Sequence, residues 1–285
     1  MKTNREKLVM MSVQGKVDHP GLKGNGYRVG YDGKGRIPIA VGGIVYNYKI
    51  GDSCMGIMGD HVEPSVSLKN PSDKENGALQ AFSCIGNIAK VISGDAKGDL
   101  GYVTGKHGGI DHVMVHFPLE TLEKMTCNDQ VFIKSFGQGL KLLDYPNVHV
   151  MNIDPDLLQK MNIKEENGKL VVPVTHKVPA YLMGSGLGSA TTVLGDYDIM
   201  TQDKKVNEEL NLNALRFGDV VAIMDHDNTY GPNYHRGAVS VGVICHSDSY
   251  TSGHGPGVTV IMAAVNGEIE PVIDENANIA NYLNV

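Results

Sequence analysis

The sequence predicts a mainly β protein, built of barrel-like or sandwich sheets with a few short helices; an α+β arrangement is the alternative. Three observations predict it. Short runs alternate apolar and polar residues at a period of two, as in DVVAIMD (219–225), AVSVGVICH (238–246) and GVTVIMAAV (257–265). Val and Ile are common and Trp is absent, a mix suited to pleated strands. The 35 glycines fall mostly between the runs, where tight turns need them.

At 285 residues the chain fits one large or two modest domains, and its 41% hydrophobic content suffices for a core. A composition shift near residues 118–130 suggests an N-terminal β-rich lobe (1–125) and a C-terminal β-rich lobe (126–285) with no linker between them. Residues 7–17 read as a first strand, 21–36 as Gly-rich turns, and 37–48 and 52–58 as further strands. KNPSDKENG (69–77) reads as a polar surface loop. NIAKVISGDAKGDLGYVTG (87–105) reads as two strands around GDAKGD, like the KOW hairpin of an SH3-like barrel. DHVMVHF alternates as a strand, LETLEKM as one or two helical turns, and QVFIKSFGQGLKLLD and NVHVMNI as strands. DPDLLQKMN has the start of a helix, with Asp154 as N-cap and Pro155 at the first position. The tail NANIANYLNV closes the chain as a short helix.

Charge and cysteines narrow the partners. With 25 basic and 32 acidic residues the net charge is −7, so no basic footprint for nucleic acid exists. No apolar run reaches the roughly 18 residues of a membrane helix. The apolar part of the N-terminus is too short for a signal peptide. Cys54, Cys84, Cys127 and Cys245 are widely spaced and read as reduced thiols of a cytoplasmic protein. Strand edges rich in Val and Ile favour a homo-oligomer. The ligand expected is a small molecule, with neither nucleic acid nor membrane as partner.

The chemistry concentrates in 218–262, where four histidines sit beside Asp, Ser or Gly in loops at strand ends. His226, His246, His254 and Asp248 are the candidate catalytic residues. Asp225, His226, Asp227 and His246 are candidate ligands for a divalent metal, since imidazole and carboxylate suit such ions. No strict signature such as HExxH is present. Convergence of His226 with His246 requires the 226–237 connection to fold back over the sheet. Asp60 and His61, in GDHVEP, are candidate substrate contacts; both can point inward only from a turn. An echo links Gly51-Asp52…Asp60-His61 to Gly218-Asp219…Asp225-His226. Lys106 and His107, before Gly108-Gly109, suit an anionic group, with Arg236 as a second contact. Gly184-Ser185-Gly186-Leu187-Gly188 lacks the helix a dinucleotide loop needs and reads as a bend where backbones approach. Cys245 and His246 face opposite ways on a strand, so a Cys-His pair is not expected.

GDHVEPSVS, CIGNIAKVISGDAKGDLGYVTGKHGG, IKSFGQGLKL, VPAYLMGSGLG, GDYDIMT and HSDSYTSGHGPGVT together resemble the domain-of-unknown-function family 4438 across most of the chain. The resemblance implies a β-rich, cytoplasmic bacterial-type protein and no particular reaction. A looser likeness, in loop character alone, is to the acetamidase/formamidase family of amide hydrolases. The reading is a small-molecule hydrolase or lyase, amide-directed in one version, with a His/Asp pocket and a divalent metal. The alternative is a non-catalytic binding protein for an anionic metabolite.

Overall fold

A computed structural model describes residues 1–22, 26–39, 41–189 and 191–285, so the Gly-rich turns expected at 21–36 lie partly outside the described residues. The first sheet runs in the order Met11–Val17, Gln130–Ser135, Ile88–Val91, Leu100–His107, His112–His116, Ser65–Lys69 and Ile44–Val45. Met11–Val17 also pairs with Ser65–Lys69, through Lys16 with Lys69 and Val17 with Leu68. That pairing closes six antiparallel strands into a barrel, which leaves no long edge exposed. Alternation fills it: Val13, Val17, Val66, Leu68, Ala89, Val91, Val103, Val113, Val115, Val131 and Ile133 are buried together. The hairpin expected at 87–105 is part of this wall.

The second sheet has the order His149–Val150, Gly257–Ala264, Asn233–His246, Val220–Asp227 and His176–Pro179, with Tyr197–Asp198 pairing on Gly257–Ala264. Its last pair is parallel and the others are antiparallel. The three strands expected between 218 and 262 are its centre. A small sheet of Lys164–Glu166, Lys169–Val174 and Ile269–Ile273 packs beside it. The fold is mainly β.

The barrel and the second sheet meet where Leu100–His107 crosses Asn233–His246. A bulge between Val103 and Gly105 turns the strand, and a Cβ at Gly105 would lie 2.4 Å from the Cβ of Cys245. Only glycine permits that approach. Lys106 N–H then donates to Thr259 Oγ1 at 3.0 Å and the Cys245 thiol donates to the Lys106 carbonyl. His107 is thereby brought against the end of Asn233–His246.

Helices are short, as expected. Pro155–Lys160 starts at Asp154, whose side chain accepts from Asp156 N–H. The expected surface loop 69–77 is a correction: Asp73–Phe82 is a helix. Ser72 caps it by accepting from Glu75 N–H, the Ser-x-x-Glu pattern of a helix start, which the interior Gly77 obscures in the sequence. Of the strands expected at 37–48 and 52–58, only Ile44–Val45 forms among the described residues. No helix among the described residues is long and apolar enough to cross a membrane.

One buried group gives the fold a pH dependence. His116 is buried in the barrel wall, and burial, aided by Lys49, pushes its pKa down to about 4. The unfolded chain takes up this proton near pH 6.5, and the folded chain only near its lower pKa. Stability is therefore expected to fall as pH drops from 6.5 towards 4, by roughly 2 kcal/mol between pH 6.5 and 5. Urea unfolding at several pH values should show that part of the slope vanish in His116→Phe; an unchanged slope would reject the assignment.

Candidate metal centre

Five side chains from four separate segments meet between the barrel and the second sheet: His61, His107, Asp196, Asp198 and His246. His61 lies in the loop 59–64, where its φ of 53° turns the chain so that the neighbours Asp60 and His61 both point inward. His107 ends Leu100–His107 and His246 ends Asn233–His246. Asp196 and Asp198 flank Tyr197 and share one face of the chain at Tyr197–Asp198, while Tyr197 points to the other.

The tautomer of each imidazole follows from its outer partner. His61 Nδ1–H donates to Asp60 at 3.0 Å, His107 Nδ1–H donates to Glu63, and His246 Nδ1–H donates to the Ser247 carbonyl at 2.9 Å. All three Nε2 lone pairs are left to face inward. His246 Nε2 lies 2.7 Å from Asp196 Oδ2 and 3.5 Å from Asp198 Oδ1. His61 Nε2 lies 3.4 Å from Asp198 Oδ2. His246 Nε2 is fully buried, and its short contact with Asp196 is not aligned as a hydrogen bond. Nitrogen and oxygen converge on shared space rather than on each other, which is how metal ligands are disposed. His61–Asp198–His246 and His107–Asp196–His246 are both groups that can hold a metal ion. A Cβ at Gly257 would lie 2.2 Å from both His246 Nε2 and Asp196 Oδ2, so glycine keeps this space open.

The outer partners are themselves anchored. Ser249 Oγ donates to Asp60, and Arg28 stands 3.7 Å from its other oxygen. Glu63 is fully buried and accepts from His107, from His112 Nδ1 at 2.8 Å, from Ser67 Oγ and from Gly42 N–H. His112 also donates through Nε2 to Asp18 at 3.0 Å. Burial alone would lower His112, but Glu63 and Asp18 outweigh it and hold the ring as an imidazolium. Burial alone would raise Glu63, yet His112 and His107 keep it well below the usual carboxylate range. In the metal-free chain Asp198 is likewise held low against burial by His246, His254 and His61. His246 is raised against burial by Asp196 and Asp198.

His61, His107, Asp196 and Asp198 line a cleft of about 310 Å³ together with Leu22, Val41, Ile110, Arg28 and His254. His254 Nδ1 is 2.8 Å from Asp198 Oδ2 and 3.1 Å from His61 Nε2.

Of the residues singled out from sequence, His61, His107, His246 and His254 meet here, with Asp60 behind His61. Asp248 does not reach the cluster: its carboxylate accepts from Thr201 Oγ1 and Ser249 N–H, and it shapes the loop. His226, Asp225 and Asp227 do not belong to the cluster. Val220–Asp227 and Asn233–His246 continue as one hairpin, pairing His226 with Tyr234 near the turn, so the 226–237 connection does not fold back. His226 packs edge-on against Tyr197 on the far side of the Asp196–Asp198 strand. Asp225 accepts from Gly237 N–H at a bulge, and Asp227 accepts from Thr229 in the turn. The Asp-His echo therefore has one copy in the centre and one outside it. Lys106 is fully buried, donates to Asn152 and the Val193 carbonyl, and is pushed down to about 8 by burial, so it does not line the cleft. Arg236 is exposed on the outer part of its strand. The sequence reading missed Asp196, Asp198, Glu63 and His112. The Asp-Tyr-Asp alternation in GDYDIM was the signal available for the first two.

Glu63→Gln would leave the His112 imidazolium buried without its main counter-charge. A destabilisation of roughly 3–5 kcal/mol is expected, measurable as a lowered urea midpoint at pH 7; an unshifted midpoint would refute the keystone role of this carboxylate.

Known proteins agree with this architecture. The crystal structure of TM1086 superposes with a TM-score of 0.94 at 50% sequence identity, over 99% of both chains. No curated protein matches the chain. The likeness to amide hydrolases has no counterpart among these matches. Residues 27–159 match the N-terminal model, and residues 160–283 the C-terminal model, of the domain of unknown function DUF4438. The chain belongs to the DUF4438 family.

Proposed function

We propose that this protein is a metal-dependent enzyme acting on a small molecule, a hydrolase or lyase, with a divalent transition metal held among His61, His107, His246, Asp196 and Asp198. One observation carries the reading: three buried imidazoles have Nδ1 fixed by Asp60, Glu63 and Ser247, leaving Nε2 of His61 towards Asp198, that of His107 towards Asp196 and that of His246 towards both. Outer acceptors that set tautomer and ring orientation are characteristic of metal ligands. A mixed nitrogen and oxygen donor set suits zinc, manganese or iron(II) better than calcium or magnesium. Such an ion, when bound, supplies Lewis acidity and a water that ionises near neutral pH. The chain supplies the rest. The cleft limits the substrate to a small molecule, and Arg28 can orient an anionic group on it. Amides are the first substrate class to test, because a Lewis acid and an ionised water suit attack on a carbonyl; there water oxygen adds to the carbonyl carbon, the C–N bond breaks and the nitrogen leaves protonated. The second reading, a binding protein for an anionic metabolite, draws on the same Arg28 and requires no turnover. Self-association is part of the proposal, because Tyr230 and Tyr234 expose aromatic surface on the outer hairpin. A cytoplasmic setting fits four free cysteines.

Protein purified without an affinity tag should carry divalent metal by mass spectrometry, and His246→Ala should carry less of it. Gly257→Ala should carry less as well, with circular dichroism unchanged, because its methyl group fills the space beside His246 and Asp196. Metal-free wild-type chain that takes up no zinc, manganese or iron(II) would end the reading. Loaded protein that turns over no amide, ester or hydroxy-acid yet binds carboxylates through Arg28 would favour the binding protein.

Ligand imidazoles must shed their protons to bind, and the neighbouring aspartates make His61 and His246 more easily protonated than usual. Affinity should therefore weaken as pH falls. Calorimetry in buffers of different ionisation enthalpy should show more protons released at pH 6.5 than at pH 8.5; equal release would contradict the ligand assignment.

A further inference from the structure

Resting on that metal-binding reading, we infer that the centre is binuclear: one ion held by His107, His246 and Asp196, a second by His61, His254 and Asp198, with Asp198 as the bridging carboxylate. The ligand atoms within each of the two triads that share His246 lie within 4.8 Å of one another, but the triads do not merge into a single set at that spacing. Ligands on opposite sides of one ion, at about 2.1 Å each, are only about 4.2 Å apart. As disposed, the five atoms are too widely spread for one ion. His246 Nε2 can bind one ion only, and its shortest carboxylate contact, 2.7 Å to Asp196, assigns it to the His107 side.

His61 then needs a partner, and His254 is beside it. His254 Nδ1 and His61 Nε2 face each other at 3.1 Å. His61 already donates through Nδ1 to Asp60, so in the neutral ring its Nε2 is a lone pair. A separation near 3 Å is what two nitrogens at about 2.1 Å from one ion adopt at roughly a right angle. Asp198 has the arrangement of a bridge. Its Oδ2 faces His254 at 2.8 Å and His61 at 3.4 Å, while its Oδ1 faces His246 at 3.5 Å. Coordination also favours two ions. A single ion taking all six side chains would have no position left for water or substrate, whereas two ions divide them, four on the first counting the Asp198 bridge and three on the second, and the second keeps an open position. Ions roughly 3.5–4 Å apart can hold the attacking and the leaving atom together. His254 is the most exposed of the six, so the second ion would be the one nearer the cleft mouth.

The test is stoichiometry. Metal-stripped full-length chain is titrated with Zn²⁺ by calorimetry, and bound metal is counted after desalting. Two ions per chain are expected in wild type. One is expected in His254→Ala and one in Asp196→Ala; thermal unfolding checks both variants. Mn²⁺-loaded wild type should give the spin-coupled electron paramagnetic resonance signal of a pair, and His254→Ala that of isolated ions. One ion in wild type overturns the inference and leaves the metal-binding reading standing. Two ions retained in His254→Ala overturns the assignment of His254. No ion in wild type overturns both.

Discussion

The structure around the site depends on a carboxylate that is fully buried and ionised. A charge removed from water costs several kcal/mol unless it is paired and fully hydrogen-bonded. Glu63 meets that condition with four donors from four places: Gly42, Ser67, His112 and His107. Three come from strands of the closed barrel, one of them the His107 ring of the candidate centre, and the fourth, Gly42, from the loop before Ile44–Val45. Fixing Glu63 also fixes the loop 59–64, and with it His61 two residues earlier. Asp18, on the far side of His112, carries the chain of hydrogen bonds outwards.

The second half of the centre is positioned by backbone proximity. At Gly105 the barrel strand lies against Cys245, the residue before His246, and the hydrogen bonds of Lys106 with Thr259 and Cys245 hold the crossing in register. Gly257 then leaves room between His246 and Asp196. These two glycines do opposite work. One closes a gap between backbones, and the other keeps a gap open between ligands.

Much of this was legible in the sequence, because period-two alternation survives translation into strands. The three strands of 218–262, the hairpin of 87–105 and the helix at Asp154 all form where the pattern puts them. The helix Asp73–Phe82 was hidden by Gly77 and by a polar surface that resembles a loop. His61, His107, His246 and His254 stood out because histidines beside glycine and aspartate mark shaped loops. Asp196 and Asp198 did not, since only the pairing of a two-residue strand on Gly257–Ala264 makes their common face matter. For His226 the sequence posed the alternatives without choosing: a simple hairpin separates it from His246, and only a fold-back of 226–237 joins them; the simple hairpin forms. Register decides between them, and register is set by the tight turn at 228–232.

The division of the centre between the two family segments has a further consequence. His61 and His107 belong to residues 27–159, and Asp196, Asp198, His246 and His254 to residues 160–283. Neither segment has the full donor set. The cluster is therefore a property of the contact between them. Anything that widens the crossing at Gly105, where the barrel strand lies against Cys245, draws the barrel's imidazoles away from the aspartates, even where each sheet keeps its own hydrogen bonds.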